Sequence, residues 1–240
     1  MLRTADADGL VEAVGIYALY GENDGRVKDF DMSEAGHASF DAYAFGVYGT
    51  HINPAGWYAD TVVQVTKYEA KAGSGFFEDM KIEGAGIAAS LEVGKSFPLG
   101  AGLSIEPQAQ IIYQSIDFND TADDAARVRF DDVESLAGRL GFRLVKDSAW
   151  NLGSGSRPLQ GWLRANVWRE FVADPETSFS SADGFVPFRS DIRGTWAEFG
   201  AGVSGEISPG ASVYASGAVQ TDFGEQMKGW DLRVGVRVAW

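Results

Sequence analysis

Trp230-Asp231-Leu232-Arg233-Val234-Gly235-Val236-Arg237-Val238-Ala239-Trp240 is a strict two-residue repeat. Trp230, Leu232, Val234, Val236, Val238 and Trp240 fall on one side of an extended chain, and Asp231, Arg233, Gly235, Arg237 and Ala239 on the other. A strand of this kind either half-covers a soluble core or faces lipid outside and water inside. The rest of the chain decides between the two.

The same alternation runs upstream. Leu103, Ile105, Pro107, Ala109, Ile111 and Tyr113 oppose Ser104, Glu106, Gln108, Gln110 and Gln114. Leu136, Leu140, Phe142 and Leu144 oppose Arg139, Gly141 and Arg143, and Ala197, Phe199, Ala201 and Val203 oppose Glu198, Gly200, Gly202 and Ser204. Weaker versions cover 11–20, 41–51, 57–68, 84–95, 160–171 and 211–220. The pattern predicts about ten strands of about 9 to 13 residues, the length of a tilted bilayer crossing. Soluble sandwich strands are nearer five or six residues. Pro107 sits inside one such strand, where proline ordinarily marks an edge or a bulge.

Connection lengths alternate as well. Asn53-Pro54-Ala55-Gly56, Pro98 to Gly102 and Ser208-Pro209-Gly210 are tight turns, whereas 22–40, 70–82, 117–134 and 172–192 are long and polar or acidic. Short turns on one side and long loops on the other characterise an outer-membrane barrel, and an even strand count puts both ends of the sheet on the periplasmic side. Lys146 to Arg157 is too long for a short turn and Asp222 to Lys228 too short for a long loop. Trp57, Tyr58, Trp162, Trp168, Trp196, Tyr214, Trp230 and Trp240 fall mainly near strand ends, where interfacial girdles are expected.

Composition agrees. The 240 residues include 30 glycines, 12% aromatics and 45% hydrophobic residues, as expected where only alternate positions face lipid. No stretch reaches the roughly 20 apolar residues of a transmembrane helix. A net charge of −14 argues against nucleic acid, which demands a basic face. The chain has no cysteine, which removes disulfides and thiol chemistry. Its first residues show no signal-peptide core, so the first eight residues read as an irregular lead and 9–240 as one all-β unit.

Little in the sequence carries bond-making chemistry. His37 and His51 are the two histidines; one is expected in an external loop and the other beside a periplasmic turn, too far apart to share a metal. A protease site would rest on His37 with Asp31 and Glu34. The glycines form no phosphate loop or dinucleotide fingerprint, and in strands they relieve crowding or permit bending. Acid runs such as Asp117 to Asp124 match no calcium-loop spacing and read as solvated loops. The expectation is a non-enzyme without cofactor or metal.

The polar face nevertheless holds a definite constellation. Asp60, Glu92, Glu106, Glu170, Glu198 and Glu206 stand against Arg139, Arg143, Arg164, Arg233 and Arg237, with Gln108 and Gln110 among them. Two readings stay open: ion pairs that stabilise a barrel wall, or a hydrated lumen with a direct part in passing a polypeptide.

From about Gly9 to Trp240 the chain resembles the C-terminal translocator barrel of classical monomeric, pertactin-like autotransporters. The marks are Phe45-Gly46-Val47-Tyr48-Gly49-Thr50, Gly56-Trp57-Tyr58-Ala59-Asp60, Ile105-Glu106-Pro107-Gln108-Ala109-Gln110, Gly138-Arg139-Leu140-Gly141-Phe142-Arg143, Ala165-Asn166-Val167-Trp168, Ala201-Gly202-Val203-Ser204 and Gly235-Val236-Arg237-Val238. The resemblance implies an antiparallel transmembrane β-barrel of the outer membrane, in contact with its lipid, that exports its own N-terminal passenger by type V secretion. It implies that Trp230, Val234, Val236, Val238 and Trp240 form the signal read by the barrel-assembly machinery. Family barrels have twelve strands and a pore helix, and this sequence aligns from the third strand, so the expectation is a truncated or split product. The alternatives are a self-standing small porin or surface adhesin, or a non-functional remnant.

Overall fold

The structure is a computed structural model that describes residues 2–5, 10–30, 34–73, 79–122, 126–152, 155–223 and 228–238. All its regular structure is β. The strands are β1 (Leu2–Ala5), β2 (Val11–Lys28), β3 (Glu34–Ile52), β4 (Trp57–Gly73), β5 (Met80–Lys95), β6 (Phe97–Gly100), β7 (Leu103–Phe118), β8 (Thr121–Ala122), β9 (Arg127–Phe130), β10 (Val133–Leu152), β11 (Gly155–Glu170), β12 (Glu176–Ser181), β13 (Gly184–Arg189), β14 (Gly194–Ser208), β15 (Ala211–Asp222) and β16 (Lys228–Val238).

Ten long antiparallel strands make one sheet in the order β2-β3-β4-β5-β7-β10-β11-β14-β15-β16, with β1 outside β2 and β6 beside β7. Each long strand pairs with its sequence neighbour among the ten, the commonest outcome for consecutive strands. The sheet curls. Its hand of curl is visible in side chains that meet across an intervening strand: Tyr17 on β2 donates to Gln64 on β4 at 2.8 Å, and Arg139 on β10 donates to Glu92 on β5 at 2.5 Å. Such reach requires the two strands to lean together, so these residues mark the inner face.

The outer face is apolar and exposed. On β4 it carries Thr61, Val63 and Val65 between Trp57 and Lys67; on β5, Ile87, Leu91 and Val93 between Glu83 and Lys95; on β10, Leu136, Leu140, Phe142 and Leu144 between Glu134 and Lys146. From Trp57 to Lys67 is about 33 Å along the strand and about 25 Å along the axis of a barrel tilted by ~40°. That is the height of a lipid-facing band. Tyr20 and Tyr43, with ring centroids 5.2 Å apart, and Tyr113 close the band on the long-loop side, each on the outer face. The buried apolar residues among those described are few and small: Ala13, Val128, Val145, Ala173 and Ala218. An exposed apolar surface of this extent, without a core to match, is inside-out for a water-soluble protein.

Several expectations need correction. β15 and β16, of 12 and 11 residues, have the foreseen length, but the other long strands exceed it, from 15 residues in β14 to 20 in β10, because they continue past the membrane band as paired hairpins. Lys146 to Arg157 is such a continuation: β10 and β11 stay in register from Ala137↔Glu170 to Leu152↔Gly155. Likewise β2 and β3 pair out to Lys28↔Glu34, well into the stretch read as a loop. In the lead, Leu2–Ala5 pairs with Val11–Val14 instead of being irregular.

The acidic connections at 117–134 and 172–192 are not simply solvated loops. They meet as a second sheet, β13-β12-β9-β8, in which Phe179 packs edge-on to Phe188 at 5.6 Å, Arg129 lies 3.8 Å above Phe185 and Val128 is 1% exposed. Beyond it, Asp191 accepts from Arg193 Nε at 2.8 Å and Nη2 at 2.7 Å and from its backbone N–H at 3.1 Å. Those bonds hold its carboxyl at about 2.

The tight turns form where expected, with Gly56 and Gly210 at positive φ (84° and 78°), a region that glycine enters without a Cβ penalty. Pro107 is accommodated as a break. Its missing N–H interrupts the ladder opposite Lys95 and Ser96, and pairing resumes in the same register at Phe97↔Ile105. Ser96 gives its N–H to Gly56 O instead, at 3.1 Å.

Candidate functional site

The register puts all the polar positions singled out above on the inner face. Cross-strand partners run Thr50↔Asp60↔Glu92↔Gln110↔Arg139 and Gly94↔Gln108, Glu106↔Arg143↔Arg164 and Asn166↔Glu198. Because the side-chain period is two, one correct register fixes the whole row.

Three ion pairs knit its centre. Arg139 Nη2 lies 2.5 Å from Glu92 Oε2, Arg164 Nε 2.9 Å from Glu198 Oε1, and Arg143 Nη1 3.6 Å from Glu106 Oε2. Tyr58 Oη donates to Glu92 at 2.7 Å and accepts from Gln108 Nε2 at 2.7 Å. Glu198, 5% exposed, also accepts from Asn166 Nδ2 at 2.8 Å and Gln220 Nε2 at 3.3 Å. Arg143 donates to Gln160 at 3.3 Å and Gln110 to Ser90 at 2.8 Å. Buried charges need this density of partners to offset their lost hydration.

The remaining members behave differently. Glu170 has no cation in this network; it accepts from Ser135 Oγ at 2.6 Å and from the N–H groups of Leu136, Phe171, Val172 and Ala173, which fixes the exit from β11. Glu206 lies at a strand end and pairs with Arg157 at 3.1 Å. Arg233 pairs with Asp231 on its own strand at 3.2 Å, and Arg237 sits opposite Ser212.

The aromatic expectation is overturned in large part. Tyr58, Trp162, Trp168, Trp196 and Tyr214 belong to the inner row, not to a lipid-side girdle; Trp57 and Trp230 are outer. Position near a strand end does not decide the face, whereas parity in the register does. Trp162 lies across Gly202, Tyr58 across Gly94 and Tyr214 across Gly235, each where a Cβ would overlap the ring. Arg143 and Arg164 are both 5.3 Å from the Trp162 ring, Arg139 is 5.3 Å from Trp168, and Trp168 stacks on Trp196 at 5.9 Å. Sequence spacing had signalled the charges but not these rings or Asn166, whose roles depend on the register of the neighbouring strand.

His37 and His51 lie near opposite ends of β3. His37 is 3.3 Å from Asp79 and His51 is 3.3 Å from Glu12; of the acids proposed beside His37, Asp31 and the Glu34 side chain lie outside the described residues. Of the terminal-strand positions, Trp230, Val234, Val236 and Val238 form an exposed outer row, and Trp240 lies outside the described residues.

Comparison with known proteins gives this geometry a family. Residues 11–218 match the autotransporter beta-domain family. The pertactin autotransporter of Bordetella bronchiseptica is 30% identical over 224 residues, covering 89% of this chain and 23% of that protein. The BrkA autotransporter of Bordetella pertussis is 28% identical over 178 residues, 71% of this chain and 17% of that one. The chain thus spans less than a quarter of the length of these relatives. Among solved structures, the beta domain of the Bordetella autotransporter BrkA has a TM-score of 0.66 at 20% identity, over 99% of this chain and 95% of that one. The translocator domain of NalP from Neisseria meningitidis has a TM-score of 0.57 at 12% identity, over 98% and 78%. The chain belongs to the autotransporter beta-domain family, the outer-membrane β-barrel domains of type V secretion in Gram-negative bacteria.

Proposed function

We propose that the chain is the membrane-embedded part of a translocator through which an N-terminal passenger polypeptide reaches the cell surface. The observation that carries this reading is the separation of its two faces. An apolar band about 25 Å high suits lipid, and a charged inner row suits a hydrated path. With Glu92, Glu106 and Glu198 already paired to arginine, the wall presents neutralised ion pairs in place of naked charge, so an extended polypeptide of either sign passes without a deep trap. The role requires no bond to be made or broken and no cofactor.

The outer row of Trp230, Val234, Val236 and Val238, with Trp240, serves in this reading as the signal for the barrel-assembly machinery. Deleting Trp240 then lowers outer-membrane insertion in a cell-fractionation assay, and full insertion of the deletion contradicts the assignment. Translocation itself is tested by placing an export signal and an epitope-bearing segment ahead of residue 1. The epitope becomes accessible to antibody and protease on intact cells; a chain that inserts while its epitope stays periplasmic overturns the proposal.

A further inference from the structure

Two successive rows of the outer face cross four strands, each with a small residue in its middle. Leu91, Ile111, Gly138 and Arg169 are cross-strand partners on β5, β7, β10 and β11, and one row towards the short turns so are Val93, Ala109, Leu140 and Val167. Gly138 and Ala109 lie diagonally next to each other and leave an open groove of about 530 Å³, walled by the exposed side chains of Leu91, Ile111, Leu140 and Val167, with Phe171 at its upper end. We propose that this groove holds one acyl chain of an outer-leaflet lipid and that Arg169 binds that lipid's phosphate, an assignment that rests on the reading of the chain as a membrane barrel with its long loops outside.

Arg169 points to a lipid with a charged headgroup. Val167 and Phe171, two residues to either side on β11, are exposed apolar side chains of the outer face, so the guanidinium emerges on the lipid side. Its Nη1 donates to Thr195 Oγ1 at 2.9 Å and its carbon lies 5.9 Å from the Phe171 ring centroid, but among the described residues no carboxylate pairs with it. The inner arginines differ, since Arg139, Arg143 and Arg164 each face a glutamate. A cation on the lipid side is costly at the bilayer centre and tolerated near the interface. There a headgroup phosphate supplies the missing anion, and the planar guanidinium meets two of its oxygens at once.

Height supports the pairing. The upper border of the apolar band moves down the rows along the sheet, from Lys67 on β4, in the row of Ala85 and Asp117, to Glu134 on β10, in the row of Ser115. That drift is the slant of tilted strands. Carried one strand further, it brings Arg169 to the height of Tyr113, which closes the band on the long-loop side. The guanidinium thus lies at headgroup level while the groove beneath it runs into hydrocarbon. Gly138 keeps the groove open: a Cβ there would already lie 3.1 Å from Phe171 Cε2, and a longer side chain would occupy the space itself.

Refolded protein is inserted into phosphatidylcholine vesicles, moved into detergent, and offered phosphatidylglycerol or the diacylglycerol with the same chains; bound lipid is counted by native mass spectrometry. The unaltered chain retains one phosphatidylglycerol and about fivefold less diacylglycerol, the factor that one surface cation supplies. Arg169→Gln removes this preference, whereas Lys95→Gln, at the opposite border of the band, keeps it. Gly138→Leu and Ala109→Leu, which fill the groove from two different strands, lower retention of both lipids. Equal effects of Arg169→Gln and Lys95→Gln, undiminished retention in the filled variants, or a lipid-free dimer in place of the lipid-bound chain overturns the assignment and leaves the membrane reading standing. An unaltered chain that fails to insert into the vesicles overturns both.

Discussion

Strands β14 and β16 carry the same alternation and end in different environments. In β14 the outer row of Ala197, Phe199, Ala201 and Val203 backs an inner row whose Glu198 is 5% exposed; in β16 the outer Trp230 is 79% exposed and the inner Arg233 side chain 66%. The difference lies in the neighbours. β14 has a strand on each side to supply Arg164, Asn166 and Gln220 to its carboxylate, whereas among the described residues β16 has one. A period-two pattern thus specifies faces, and sheet position specifies what each face is worth.

The largest expected effect follows from removing the carboxylate in β14. Glu198→Ala strands Arg164 and Asn166 beside a buried void, and urea unfolding of the micelle-refolded protein should show a loss of about 3–5 kcal/mol. A loss below about 1 kcal/mol would mean that water already screens this site. The lipid side comes next. Val234→Arg puts a charge into the apolar band and should cost about 2–4 kcal/mol in bilayers, while Arg233→Ala, one residue away on the inner row, removes a half-exposed pair and should cost at most about 1 kcal/mol. Equal costs would erase the distinction between the faces of β16.

Gly202→Ala sharpens the comparison within β14. Its new Cβ must displace the Trp162 ring, an overpacking expected to cost about 1–3 kcal/mol and to red-shift tryptophan emission as the ring moves into water. The smallest effect lies off the barrel. Asp191 is exposed and held at about 2 by its bonds from Arg193, so its contribution is complete above the unfolded aspartate range of about 4 and is lost as pH falls through about 2. NMR titration of the native and Arg193→Ala chains should move that midpoint upward, with little change in melting temperature.

The ten long strands and their polar row were legible because alternation is local: Glu198 declares its face through Ala197 and Phe199. Other features were not local. Asp231 lies two residues from Arg233 and Arg157 far from Glu206, yet either partnership depends on strand-end geometry that no spacing encodes. The second sheet joins Phe130 to Thr177 across two intervening barrel strands, through pieces of four to six residues too short to show a period. Aromatics misled because a ring near a strand end suits both an interface and a glycine on the neighbouring inner row. Tyr58 over Gly94 and Trp162 over Gly202 are readable only once the register is known.

The central claim is that one face of the sheet meets lipid and the other water, and β5 tests it most directly. Single cysteines placed at positions 87 to 91 of the otherwise cysteine-free chain, reconstituted in liposomes, are exposed to a membrane-impermeant maleimide. The account predicts labelling at Ala88→Cys and Ser90→Cys and protection at Ile87→Cys, Ala89→Cys and Leu91→Cys. Labelling that ignores this parity, or that favours 87, 89 and 91, would contradict it.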